Sequence, residues 1–283
     1  MLDARSRDDG QKRASSAQQA AGDCPYRHVE GDVSCGLLLL CDHAANALPQ
    51  AYGSLGLPPH EFHRHIAYDI GAAGLTERIA EILSAPALLT RYSRLLIDPN
   101  RGADDPTLIM QLSDGAVVPG NATIDEAERR LRIARYYEPY HVAIEAAIDA
   151  ARAAGKPPML FSVHSFTSAW RGVQRPWHVA VLWDKDPRLA LPLLHAFQAI
   201  PGVVAGNNVP YSGKLQGDTL YRHGTMRGLA HVLIEVRQDL IMTPEGQAEW
   251  GDRLAQVLRN IMEDEERASD LHRVQHFGSY TDE

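Results

Sequence analysis

Cysteine is scarce in this chain: three residues in 283, Cys24, Cys35 and Cys41, with no CxxC pair. That argues against both a disulfide framework and a cysteine-built zinc site. Long apolar runs are also missing, and the stretch Leu37–Cys41 falls far short of the roughly 18–20 residues that span a bilayer. No apolar segment of signal-peptide type follows the charged N-terminus, so the expectation is a cytoplasmic protein without membrane contact. Excess positive charge is absent as well. Lys and Arg total 28 against 36 Asp and Glu, a net charge of −8 and a pI near 5.9. The single dense basic run, Arg129, Arg130, Arg132 and Arg135, shares a helical pattern with Asp125, Glu126, Glu128 and Glu138. It reads as a solvated, internally paired helix face, and nucleic acid is not an expected partner. A small anionic substrate is not excluded, because one or two buried arginines can hold a carboxylate on an acidic protein.

Several catalytic signatures are missing too. There is no HExxH, no GxSxG and no GxGxxG after a strand. The segment GNNVPYSGKL (206–215) has six residues between its glycines where a phosphate loop has four, and Leu215 stands where Ser or Thr is needed.

What is present is the pattern of one sizeable α/β domain. Hydrophobic residues make up 45% of the chain, enough for a core without staples. Residues 1–30 are polar and without sustained periodicity, and read as a flexible leader. The domain is expected over 31–268, with a C-terminal tail over 269–283. Apolar strand-like runs at 36–42, 87–98, 159–166, 177–183, 202–207 and 229–239 alternate with helical patterns at 70–83, 124–153, 187–199 and 243–265. Thr123 with Glu126 looks like a capping box for the second helix. The expected architecture is a three-layer sandwich, with a mixed, mostly parallel sheet covered by helices on both faces.

Three of these runs end in groups that a core tolerates poorly. GLLLLCD leads into Asp42-His43, MLFSV into His164-Ser165, and HVLIEV contains Glu235 followed by Arg237. In open α/β sheets ligands collect beyond the carboxyl ends of the strands, and two histidines with a carboxylate there would suit a metal site with an acid/base group. Each residue also has a plain structural reading: a hydrogen-bonded histidine, or Glu235 paired with Arg237. In SRLLIDPNR (93–101), Asp98-Pro99-Asn100 is good turn chemistry. Arg101 either ties down that loop or aims a guanidinium at a substrate carboxylate, with Asn100 beside it and Arg94 as a second candidate. Asp69, in HIAYDIGA (65–72), is either a helix cap or a carboxylate directed into a site.

Taken in order, CDHAANALP (41–49), HIAYDIGA, SRLLIDPNR, the VHSF strand end (163–166) and IEVRQDLI (234–241) resemble the N-formylglutamate amidohydrolase family over about residues 35–265. The resemblance implies a fold like the zinc carboxypeptidases and aspartoacylase-type deacylases. It also implies a zinc-dependent hydrolase, with Zn2+ or another divalent metal, one per chain, acting on a small anionic N-acyl amino acid such as N-formyl-L-glutamate. On that resemblance His43 and His164 are metal ligands, Glu235 takes a proton from the activated water, and Asn100 and Arg101 grip the α-carboxylate. Arg94 or Arg237 would stabilise the oxyanion. The carboxypeptidase ligand motif HxxE reads His43-Ala-Ala-Asn46 here, so either Asn46 or Asp69 supplies the remaining oxygen, and Asp69 is the better donor. Arg222, His223 and Arg171 are the cations offered for a second substrate carboxylate. Two further readings are a metal-free binding protein on the same fold and a partner-binding protein using its acidic helix faces.

Overall fold

Alternation along the strands decides how the chain layers. The computed structural model describes residues 24–283. Seven strands form one sheet: β1 (Tyr26–Val29), β2 (Leu37–Cys41), β3 (Ala87–Thr90), β4 (Met159–Phe166), β5 (Val179–Leu182), β6 (Ala205–Asn207) and β7 (His231–Arg237). Their order is β1-β3-β2-β4-β7-β5-β6. The four pairings β2/β3, β2/β4, β4/β7 and β5/β6 are parallel. The pairings β1/β3 and β5/β7 are antiparallel.

Successive side chains of a strand point to opposite faces. Leu37, Leu39 and Cys41 of β2, with Val232, Ile234 and Val236 of β7, therefore enter one core layer. Leu38, Leu40 and Leu233 enter the other. The first layer is covered by α1 (Ala72–Leu83), α4 (Pro187–Gln198) and α6 (Pro244–Met262). The second is covered by α3 (Glu138–Ala153) and the short α5 (Thr219–His223). The expected three-layer α/β architecture is the one observed.

Helix α1 shows why local sequence suffices for some elements. Ala72, Leu75, Thr76, Ile79 and Ala80 are its buried positions, the i, i+3, i+4, i+7, i+8 stripe of an amphipathic helix. Ile79 is fully enclosed between sheet and α6, and Ile79→Ala should cost about 2–5 kcal/mol. The helix starts at Gly71, whose φ is +81° and whose Cβ, if present, would lie 2.1 Å from the Ile241 carbonyl oxygen. Only glycine fits that turn, and the turn delivers Asp69 to the site.

Other expectations need correction. The long helix of 124–153 is capped by Asp125, whose side chain accepts from Glu128 N, and not by Thr123. It runs as α2 (Glu126–Arg132), a π-helical turn at Ile133–Tyr137, and α3. The leader expected over 1–30 lies outside the described residues up to 23, and from Tyr26 the chain is already a strand. Strand β1 pairs with β3 through Tyr26↔Thr90 to Val29↔Ala87. The expected tail is docked: α7 (Glu265–Leu271) crosses its boundary, Arg188 donates to the carbonyls of Asp270 and Gly228, and the Tyr280 ring lies under Lys185 and Lys214. Between β3 and α2 the chain forms a small hairpin, Leu112–Ser113 with Ala116–Val117. A second hairpin joins Ala169–Trp170 to Val173–Gln174. No described helix is long and apolar enough to cross a membrane.

Candidate active site

The polar row noted in the sequence sits on one face of the sheet. The second-layer face carries Leu40 and then Asp42 from β2, Ser162 and His164 from β4, and Leu233 and Glu235 from β7. Because β4 and β7 are parallel and in register, Glu235 is the direct neighbour of His164. Thr90, at the end of β3, accepts from Ala44 N and donates to Asp42 O, which fixes the turn that presents His43. The Asp69 amide donates to His43 O at 2.9 Å, and Ser165 Oγ donates to Ile70 O. These backbone ties bring the Asp69 carboxylate between two strand ends.

His43, Asp69 and His164 are all buried, and one donor atom from each lies within 4.8 Å of the other two. The imidazole centroids are 4.9 Å apart, nearly perpendicular. Arg94 Nη1 lies 3.2 Å from His43 Nδ1. A guanidinium only donates, so Nδ1 is an acceptor and the ring proton is on Nε2, which donates to Asp98 Oδ1 at 2.7 Å. Asp69 Oδ2 is 3.4 Å from that Nδ1 and 2.8 Å from His164 Nδ1. His164 Nε2 faces Asp42 Oδ2 at 3.1 Å and Ser162 Oγ at 3.0 Å. Each imidazole is thus anchored through Nε2 to a buried carboxylate and turns Nδ1 toward Asp69, the outer hydrogen-bonding pattern of metal-ligating histidines. A tetrahedral ion with bonds of roughly 2.0–2.1 Å holds its ligand atoms roughly 3.3 Å apart, and the spacings at Asp69 Oδ2 bracket that value. The donor set fits a divalent cation.

Electrostatics follow from this packing. Burial alone would raise the Asp42 carboxyl, but the His164 hydrogen bond and charge hold it at about 2. Burial likewise works against the Asp98 carboxylate and is overridden by Arg94, which grips Oδ2 with Nε at 3.0 Å and Nη2 at 2.6 Å. Burial disfavours the His164 imidazolium, yet the carboxylates of Asp42 and Asp69 raise it to about 10. For Glu235 burial dominates and pushes the carboxyl up to about 8.

His43, Asp69, Arg94, His164 and Glu235 open on one cavity of about 450 Å³, while Asp42 and Asp98 lie behind its lining. Glu235 lines it, and its Oε2 is buried without a hydrogen-bond partner among the described residues. Arg101 lines it too. Its Nε is buried and unpartnered, and among the described residues no carboxylate lies within ion-pair distance of its guanidinium. Asn100 stands beside it, accepting from Thr219 N at the start of α5.

The other expected residues fall differently. Arg94 lines the cavity but is committed to Asp98, with Asp69 at 3.7 Å, so it orients the site and is not free for a substrate carboxylate. Arg237 is a correction. At the end of β7 the chain turns and returns Asp239 onto its guanidinium, which also donates to the carbonyls of Arg175 and Trp177. It does not line the cavity. Asn46 donates to Phe62 O and stays outside the donor set. Asp69 is not a helix cap, since Gly71 holds that place. The sequence reading gave no role to Asp42 or Asp98 as imidazole anchors. An aspartate directly beside a strand-end histidine, as in Asp42-His43, was the signal available.

Comparison with known proteins places these residues in a family. The model of the N-formylglutamate amidohydrolase family matches residues 35–242, a span that contains every group above. A curated N-formylglutamate deformylase of Pseudomonas aeruginosa is 26% identical over 210 residues, 65% of this chain and 74% of that protein. Among solved structures, a gene product of Agrobacterium tumefaciens superposes with a TM-score of 0.80 at 30% identity, covering 90% of this chain and 98% of the other. An N-formylglutamate amidohydrolase of Ralstonia eutropha shares the fold, with a TM-score of 0.63 at 23% identity over 87% of this chain and 99% of its own.

Proposed function

The chain belongs to the N-formylglutamate amidohydrolase family, and from that premise we propose that it is a zinc-dependent amidohydrolase removing a formyl, or another small acyl, group from an N-acyl amino acid. N-formyl-L-glutamate is the first substrate to assay. One observation carries the reading. A buried carboxyl with an unpartnered oxygen, Glu235, stands in one cavity beside a His43–Asp69–His164 donor set and an arginine without an acid partner.

His43, Asp69 and His164 would hold the ion, with Asp98 and Asp42 keeping the imidazoles in the right tautomer. A divalent cation held there would supply an acidified water, with a pKa of about 7, and polarisation of the acyl oxygen. Arg101, with Asn100, binds the substrate α-carboxylate and so sets the amide against the donor set. Glu235 accepts the proton of the attacking water at Oε2 and returns it to the departing amine nitrogen. A carboxyl raised toward neutral pH suits that two-way transfer. Arg94 Nη1, at the rim of the donor set, supplies a fixed positive charge for the developing oxyanion.

The test is Glu235→Gln. Metal content should stay at about one ion per chain, while kcat on N-formyl-L-glutamate falls by about 10²–10⁴. Undiminished turnover would remove the proposed base. A second reading, a metal-free binding protein, is favoured by the closed network in which His164 meets a carboxylate at both ring nitrogens. Emission spectrometry separates the two, because protein that binds no zinc in excess supports the second.

A further inference from the structure

The cavity of about 450 Å³ has an apolar stretch of wall beside its polar groups. Beyond the donor set it extends along β7 and β5 to α5, where Leu233, Leu182 and Leu220 line it. This lobe is continuous with the chemistry. Leu233 shares the face of β7 with Glu235 two residues on, and Leu233 pairs across the sheet with Leu182. Leu220 lies one residue past Thr219, whose amide donates to Asn100 beside Arg101. An apolar wall therefore leads from the base to the carboxylate-binding arginine.

Charge points the same way. Of the two arginines lining the cavity, Arg94 is held by Asp98, and only Arg101 lacks an acid partner among the described residues. Asp184 also lines the cavity and would repel a second carboxylate. The cations that the sequence offered for it are elsewhere. Arg222 pairs with Glu138 and Glu145, the His223 ring stacks on His141, and Arg171 lies over the exposed Trp170. Arg175 is not itself a lining residue; it donates to Thr167 and Tyr211, which are, and its charge acts on Glu235.

Resting on the amidohydrolase reading, we propose that the Leu182–Leu220–Leu233 lobe receives an uncharged, apolar amino-acid side chain, so that the preferred substrate carries one carboxylate and a leucine- or phenylalanine-sized substituent. Arg101 takes the carboxylate, Glu235 works at the amide, and the side chain lies along the leucine wall.

The experiment is a ligand series on the zinc-loaded protein: N-formylglycine, N-formyl-L-leucine, N-formyl-L-phenylalanine and N-formyl-L-glutamate. We expect kcat/KM for the leucyl or phenylalanyl compound to exceed that for the glutamyl compound by about tenfold or more. Equal values, or a preference for glutamate, overturn the proposal. Calorimetric binding of the same compounds keeps it independent of turnover. Tighter binding of the leucyl compound without hydrolysis sustains the lobe and removes the amidohydrolase. No binding of either at millimolar concentration overturns the lobe as well.

Discussion

Two pairs of buried imidazoles lie on the same side of the sheet, and their surroundings are opposite. His43 and His164 approach with centroids 4.9 Å apart, and each is anchored to a carboxylate. His141 and His223 are 5.1 Å apart and stacked, with Nδ1 of the first 2.9 Å from Nε2 of the second. Among the described residues, their remaining hydrogen bonds are one from His141 Nε2 to the Pro99 carbonyl and none at His223 Nδ1, and no carboxylate bonds either ring. Proximity of two histidines is therefore no sign of a metal site. What separates the pairs is the acid around them. Carboxylates hold His164 at about 10, whereas burial lowers His141 to about 4 and His223 to about 2.

Truncation should break the comparison most sharply. His164→Ala should leave well under one bound zinc per chain and reduce turnover by more than about 10³. His141→Ala should keep about one zinc and stay within a few-fold in kcat, while losing about 1–3 kcal/mol of unfolding free energy. Metal analysis, kinetics and urea titration on the two variants read this directly, and equal metal loss in both would erase the distinction.

The anchors come next in size. Asp98→Asn or Asp42→Asn should weaken zinc binding by about 10–100-fold, measured against a competing chelator, because the imidazole loses the acceptor that fixes its tautomer. An unchanged affinity would mean that the carboxylates serve packing alone.

The smallest effect is in pH dependence, and the two pairs should tilt it in opposite directions. The ordinary histidine value is 6.5. Below it the unfolded chain takes up protons that the folded His141 and His223 refuse. Their contribution is thus intact above pH 6.5 and lost as pH falls toward 4. His164 binds its proton more tightly folded than unfolded. In chelator-treated protein its contribution is intact below pH 6.5 and lost as pH rises toward 10. Urea unfolding across pH 4.5–9 should show both slopes, and the double substitution His141→Phe/His223→Leu should flatten only the acid side.

Much of the fold could be read along the chain because its causes are local. The stripe of α1, the run of β2 and the Asp186-Pro187 start of α4 are each set by a few adjacent residues. Strand β1 could not be read, since four partly exposed residues acquire their meaning only by pairing with β3. In the site, His43, His164 and Glu235 were visible as polar groups closing apolar strands, where an unpaired buried group is costly. Arg237 misled because a two-residue period places it on the face of Glu235, while the strand ends there and Asp239 captures it.

Sequence by itself determined the layers: strands whose side chains alternate between two cores, three of them closing on polar residues toward their carboxyl ends. Only the tertiary structure decided which acid meets which imidazole. Asp98 reaches His43 across 55 positions and Asp42 reaches His164 across 122, and each aspartate has several plausible local uses. A hydrogen bond is a matter of a few tenths of an ångström, and spacing along the chain carries no such measure between residues that only folding brings together.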